Sequence, residues 1–422
     1  MAPSTWEGPV GINEADLLAT GESDGHAHNI LFVHELHGDL DVERLDGALR
    51  WLGERHEAFR TGFVRGEAGW RRVVHARSRF TLEVIDCRAE PAPEDVARAQ
   101  ILALHRVPFD RATPPLLRVL LFRLAETRSW LVSHGDHTAL DGIGFTVVLG
   151  ELAAAYVALA GGAPPRLPPA PQPREHVAAV EARLAPVRAT PGPWCAPYPA
   201  DGFALRPDPS RPGGRDPAGA RAYFSLGAPE PVEALARALQ VPDTAPILAA
   251  VALGLRDLAA RPDVGFTLIR SGRRDPASRR IVGCLAWGDA FAVRIDDDAP
   301  LAAVVARAGA FLGDDEPWRM LYVPAVDPPS RRIVLNVNRW VSGFELPGVV
   351  AAPRPDIVGD ARMWSTQDVL VQVFQLPGLL QGVVRYRAAL FEPATMERFA
   401  TAIARALAAL VADPATPARA LT

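Results

Sequence analysis

Apolar positions along this chain recur at two periods, and the switching between them sets out an order of strands and helices. Residues 29–37 read Asn-Ile-Leu-Phe-Val-His-Glu-Leu-His, a strand-like run, and residues 42–55 then place Leu45, Leu49 and Leu52 on one face at helical spacing. Asp39 and Asp41 stand where they can cap the start of that helix. A short strand at 70–74, a helix near 93–105 and a strand at 116–124 follow. Residues 130–134 form a further strand, buried by its composition. It runs into a polar turn, 135–141, and then into an amphipathic helix, 143–159, that stops at Gly161-Gly162.

Prolines and glycines crowd the next stretch, 163–218, which can sustain neither long helices nor central strands and reads as a connector with one short helix around 176–184. The alternation then resumes. Helical patterns occupy 232–239, 246–260, 301–311 and 394–411, and strand-like runs lie at 264–269, 290–295, 332–337, 369–374 and 380–387. Mixed elements in both halves predict two α/β lobes, 1–162 and 219–422, joined by the 163–218 connector. A length of 422 residues fits that division, because it exceeds what one hydrophobic core usually supports. No fixed-period repeat is present.

Composition narrows the chemistry. Apolar residues are interrupted everywhere, so no unbroken run reaches the roughly 20 that a membrane helix needs, and residues 1–13 lack the pattern of a secretory signal. The expectation is a cytoplasmic protein with no membrane partner. Net charge is −4 with scattered basic residues, which offers no stripe for nucleic acid. Cys87, Cys195 and Cys284 are far apart and read as buried, reduced thiols rather than as a disulfide framework or zinc ribbon. Lysine is absent from the sequence, which excludes any mechanism needing a lysine amine, such as a Schiff base or a P-loop.

The turn Ser133-His134-Gly135-Asp136-His137-Thr138-Ala139-Leu140-Asp141-Gly142 gathers two histidines and two aspartates where an apolar strand gives way to a helix. Side chains at such a strand end can be aimed into a cleft. His137 is the candidate general base, since an imidazole titrates near neutral pH. Asp141 can cap the helix that follows or hold the loop by pairing with a distant arginine. Other readings stand beside this one: an ordinary loop histidine, a metal site using His134, Asp136, His137 and Asp141, or a hydrolase using Ser133. The metal reading lacks a complete ligand set of familiar spacing, and the hydrolase reading lacks the GxSxG elbow.

At this turn the chain resembles the condensation-domain superfamily of nonribosomal peptide synthetases, whose hallmark HHxxxDG stands here as Asp136-His137-Thr138-Ala139-Leu140-Asp141-Gly142. Further elements follow in the family's order. They are Gly38-Asp39-Leu40-Asp41, Arg55-His56-Glu57-Ala58-Phe59-Arg60-Thr61, Pro114-Pro115-Leu116-Leu117-Arg118, Ser271-Gly272-Arg273-Arg274, Ile281-Val282-Gly283, Leu346-Pro347-Gly348, and Tyr386 with Leu390-Phe391. The resemblance implies two chloramphenicol-acetyltransferase-like lobes in a V with a central channel. It implies a free-standing enzyme that joins an acyl thioester to an amine or hydroxyl in natural-product biosynthesis. The thioester would ride on the phosphopantetheine arm of an acyl or peptidyl carrier protein acting in trans, and the nucleophile would be a small molecule or carrier-bound. The chain itself would bind no cofactor and no metal. By the same resemblance His137 would deprotonate or orient the nucleophile, Asp141 would pair with Arg273, and Gly142 would let the backbone pass close to the thioester.

Two departures from the family pattern bear on the site. Asp136 replaces the first motif histidine and could tune or reorient His137. The family's VGFFVNTL segment reads Val282-Gly283-Cys284-Leu285-Ala286-Trp287-Gly288-Asp289, which loses the usual Asn-Thr pair and places an indole and a carboxylate in that region. Trp287, Asn336, Asn338, Trp364 and Ser365 are candidates to line the channel, with core packing the plainer role for each tryptophan. An acyl-CoA donor and a catalytically silent recruitment module are the alternatives on the same fold.

Overall fold

A computed structural model describes residues 6–20, 28–67, 69–188, 205–211, 213, 218–314, 333–339, 344–361, 367–376 and 378–421. In chain order the elements are β1 (Trp6–Pro9), α1 (Ile12–Thr20), β2 (Asn29–Gly38), α2 (Val42–Arg55), β3 (Thr61–Gly66), β4 (Gly69–Val74), β5 (Leu82–Asp86), α3 (Pro93–His105), β6 (Leu117–Ala125), β7 (Arg128–Asp136), α4 (Gly142–Ala160) and α5 (Pro173–Arg188). There follow β8 (Gly219–Gly227), α6 (Pro229–Ala238), α7 (Ala245–Ala259), β9 (Asp263–Arg270), β10 (Trp287–Arg294), α8 (Leu301–Gly313), β11 (Ile333–Arg339), β12 (Val349–Pro353), α9 (Pro355–Ala361), β13 (Val369–Leu376), β14 (Leu379–Arg387) and α10 (Pro393–Ala412). The mixed α/β class expected from the sequence is observed.

The chain forms two compact units, and neither is contiguous in sequence. Unit 1 comprises Met1–Arg183, Ser271–Trp287 and Val341–Arg362; unit 2 comprises Leu184–Arg270, Gly288–Trp340 and Met363–Thr422. Pattern-based boundaries at 162 and 219 differ from this division because two later segments pack back into unit 1. The expected connector also contributes more structure than anticipated. Its α5 runs 16 residues, and just before it Gln172 accepts from Glu57 N at 2.9 Å and donates to the Arg55 carbonyl at 3.2 Å.

Unit 1 is built on a five-stranded sheet in the order β12-β2-β7-β6-β5, beside a three-stranded sheet β1-β4-β3. The pairings in the larger sheet are antiparallel except β5 with β6. Successive side chains on a strand point to opposite faces, and β7 shows the outcome. Leu131 joins a core shared with Leu45, Leu49 and Leu52 of α2 and Leu149 and Leu152 of α4. Trp130 and Val132 join Ala97 and Ile101 of α3 and Ile357 of α9 on the other face. The helical spacing of leucines in α2 is thus its buried stripe, and Asp41 caps it by accepting from Arg44 N at 2.9 Å. Among the described residues α4 is the one helix long and apolar enough to cross a membrane by length and composition. Here Phe145, Val148, Leu149, Leu152 and Tyr156 lie in the core of unit 1, and Glu151, in mid-helix, meets Arg55 and His56, each at 2.7 Å.

Unit 2 carries a six-stranded sheet in the order β10-β9-β11-β13-β14-β8. Its core joins Val251, Leu255, Phe399, Ile403 and Leu407 of α7 and α10 to Ile333, Leu335, Val369, Val371 and Val373 of the central parallel strands. The helical and strand-like runs read after residue 218 all appear, within a few residues at each end, as α6 to α8, α10, β9 to β11, β13 and β14.

Buried histidines make unit 1 sensitive to acid. Burial pushes His34 and His134 down from 6.5 to about 4. Between those values the unfolded chain binds protons that the folded chain refuses. Stability is therefore complete above pH 6.5 and is lost toward pH 4, by on the order of 1 kcal/mol per pH unit for each histidine. Urea unfolding should show a lower midpoint at pH 5 than at pH 7.5. His134→Phe should flatten that dependence, and equal midpoints in the unmodified protein would contradict the assignment.

Candidate active site

β7 ends at Asp136, and the turn beyond it is held by backbone and side-chain bonds alike. Asp136 N donates to the Leu116 carbonyl and His137 N to the His28 carbonyl, both at 2.9 Å. The Asp136 carboxylate is fully buried. Its Oδ1 accepts from Thr138 N at 2.9 Å and from Thr138 Oγ1 at 2.6 Å, while Oδ2 receives Arg111 Nε at 2.9 Å. The residue that replaces the motif's first histidine is therefore neutralised by an arginine and shapes the turn. His137 is half-buried, with Nδ1 3.7 Å from Cys284 Sγ.

Asp141 performs both duties the sequence allowed. Its Oδ1 accepts from Gly144 N at 2.8 Å and so caps α4. Its Oδ2 receives Arg273 Nη1 at 2.6 Å, Leu285 N at 2.8 Å and Ala286 N at 3.0 Å. Arg273 continues the network through Nη2, which donates to the Ile281 and Gly283 carbonyls at 3.1 and 3.2 Å. The two side chains are 5% and 1% exposed, so this is a buried ion pair whose hydrogen bonds offset its desolvation. Gly272 makes the approach of Arg273 feasible. Its φ is +66°, and a Cβ there would lie 2.0 Å from the Leu285 carbonyl oxygen. Gly142 opens α4 in an exposed position, and a Cβ on it would meet nothing within 4 Å.

The family profile described as Condensation domain matches residues 17–312. The chain belongs to that family. Among curated relatives of this condensation domain, chondramide synthase cmdD of Chondromyces crocatus is 27% identical across 92% of the chain. The match covers 10% of that relative's own length. The X-domain from teicoplanin biosynthesis shares the fold with a TM-score of 0.78 at 19% identity, covering 97% of this chain and 96% of that one. The starter condensation domain of rhizomide synthetase, crystallised with C8-CoA, superposes with a TM-score of 0.77 at 17% identity over 98% of this chain and 96% of that one.

The remaining sequence candidates of this condensation domain fall in several places. Trp287 is 5% exposed at the start of β10. The nearby Asp289 is ion-paired with Arg270 at 2.7 Å. Asn336 and Asn338 lie in unit 2 on one face of β11, half-buried and opposite Leu335, with Asn336 in register with Gln372 of β13. Trp364 and Ser365 lie outside the described residues, as does Cys195. Ser133 is buried on β7. His134 is buried on the α3 side of the sheet, its ring 5.0 Å from that of Phe109. Among the described residues, no three His, Cys, Asp or Glu side chains gather as a metal site.

Sequence reasoning missed Arg111, His28 and the contact of Cys284 with His137. Arg111 lies before β6, the strand that pairs with β7, and His28 lies just before β2, and neither stands in a motif. Cys284 stood in a segment noted only for its lost Asn-Thr pair.

Asp141 and Arg273 should behave as one unit in stability measurements. Asp141→Ala and Arg273→Ala each leave a buried partner charge or carbonyl unsatisfied, and each should cost about 3–5 kcal/mol. The double variant should cost well under the sum. Additive losses in chemical denaturation would show that the pair does not couple.

Proposed function

We propose that this domain joins the acyl group of a carrier-bound thioester to an amine or hydroxyl. In that reaction the nucleophile's nitrogen or oxygen bonds to the thioester carbonyl carbon, the carbon–sulfur bond breaks, and the nucleophile's proton ends on the released phosphopantetheine thiol. The observation that carries the reading is the motif half that remains intact in a condensation domain: His137 is half-buried at the end of β7, while Asp141 and Arg273 lock the loop beside it.

Each residue has a distinct task in this scheme. His137 deprotonates or orients the nucleophile. Asp141 and Arg273 keep the turn rigid and touch no substrate. The space over Gly142 leaves room for the donor arm. Asp136, paired with Arg111, fixes the turn next to His137. Much of the acceleration then comes from holding two reactants in one place, which turns a bimolecular step into a nearly unimolecular one. Asp289 is engaged by Arg270, which argues against a role as a free carboxylate recruiting an amine.

An acyl-CoA donor is the second reading, favoured by the likeness to a condensation domain crystallised with C8-CoA. CoA presents the same arm and thioester as a loaded carrier, so the chemistry at His137 is unchanged.

Intact-protein mass spectrometry tests both readings. Acyl-loaded carrier protein or acyl-CoA is incubated with a panel of amines and alcohols and with the protein or its His137→Ala variant. Loss of the acyl mass with a matching product is expected with the unmodified protein, and a fall of at least about 100-fold with the variant. Donors that stay loaded across the panel would instead indicate a recruitment module.

A further inference from the structure

We propose that Cys284 is a positioning residue: its thiol donates a hydrogen bond to His137 Nδ1, which leaves the imidazole proton on Nε2 and makes His137 a hydrogen-bond donor toward the reacting groups. This rests on the reading of His137 as the residue that meets them. The contact is a sulfur–nitrogen distance of 3.7 Å between a buried thiol and a half-buried imidazole.

The sulfur is held in place by its own backbone. Before it, the Gly283 carbonyl accepts from Asp141 N at 3.3 Å and from Arg273 Nη2 at 3.2 Å. After it, Leu285 N and Ala286 N both donate to Asp141 Oδ2. The Cys284 carbonyl itself accepts from the Asn13 side-chain amide. On the other side of the contact, His137 N is bonded to the His28 carbonyl, so both partners are anchored. The Asp141 network thus fixes two things at once, the turn that carries His137 and the segment that carries the thiol.

The direction of the bond follows from the chemistry of the pair. Burial, with the negative charges of Asp141 and Glu14, pushes the Cys284 thiol well above its ordinary range. At rest it is therefore a neutral S–H rather than a thiolate. A thiol proton is far more acidic than an imidazole N–H, and an imidazole lone pair accepts better than sulfur. The S–H accordingly points at Nδ1. Neutral imidazole carries one proton, so Nε2 bears it. An Nε2–H has no lone pair with which to take a proton from an amine or alcohol. It can donate to the thioester carbonyl oxygen as negative charge builds there.

Two experiments decide the proposal. Two-bond proton–nitrogen correlation spectra of protein labelled with nitrogen-15 histidine, recorded at pH 8, report the tautomer without substrate, and His137→Gln identifies the resonances. Expected are protonated Nε2 in the unmodified protein and in Cys284→Ser, and a displaced Nδ1 resonance in Cys284→Ala. Protonated Nδ1 in the unmodified protein, or an Nδ1 resonance indifferent to Cys284→Ala, would overturn the proposal. In the loaded-carrier assay, His137→Gln places an amide N–H where Nε2–H stands but offers no base. It should keep kcat within about 10-fold with KM unchanged, well above His137→Ala. His137→Gln as inactive as His137→Ala would assign a base and sink the donor role. If the unmodified protein turns over no donor, the proposed reaction fails while the spectra still decide the tautomer.

Discussion

A single buried carboxylate organises this site. Asp141 accepts four hydrogen bonds, from the first turn of α4, from the guanidinium of Arg273 and from two successive amides after Cys284. An ionised group taken out of water is tolerable only when its acceptor capacity is met. Each of these donors is therefore constrained by the others. Helix start, the 136–141 turn and the 281–286 segment hold one geometry because none can leave without stranding a charge.

The other charged residue of the turn obeys the same constraint. Asp136 sits at zero exposure and is satisfied by Arg111 and Thr138. The aspartate that stands at the motif's first histidine position therefore has a counter-charge beside it in Arg111. The negative charge is used to build the turn, and the imidazole of His137 takes no part in neutralising it.

Elements whose periodicity reports burial on one face were legible in the sequence. α2 and α3 match to the residue because their leucine or alanine stripes and their capping or first-turn residues agree. Strands β1, β3, β5, β8 and β12 were not read, because they are short or lie at sheet edges where few side chains are buried. The Asp141–Arg273 partnership came from a family resemblance, since a separation of 132 residues leaves no local trace. The motif Arg55-His56-Glu57 acquires its meaning only in three dimensions. Arg55 and His56 hold Glu151 of α4, while Glu57 meets Arg72 and the Arg174 backbone amide. Likewise, Gly38 pairs with Val349, and a Cβ on it would lie 2.0 Å from the Gly348 carbonyl oxygen, so two distant glycine motifs turn out to be one contact.

The discontinuity of unit 1 has a consequence in time. During synthesis Asp141 emerges long before Arg273, and β2 waits for β12 with one edge of its sheet unpaired. Until then the early segment carries an uncompensated carboxylate at the head of an apolar helix and an edge that could pair with another chain. The ribosome thus releases the 136–141 turn well before it releases the residues that give the turn its shape, so this turn cannot become native until Arg273 and the 281–286 segment have followed.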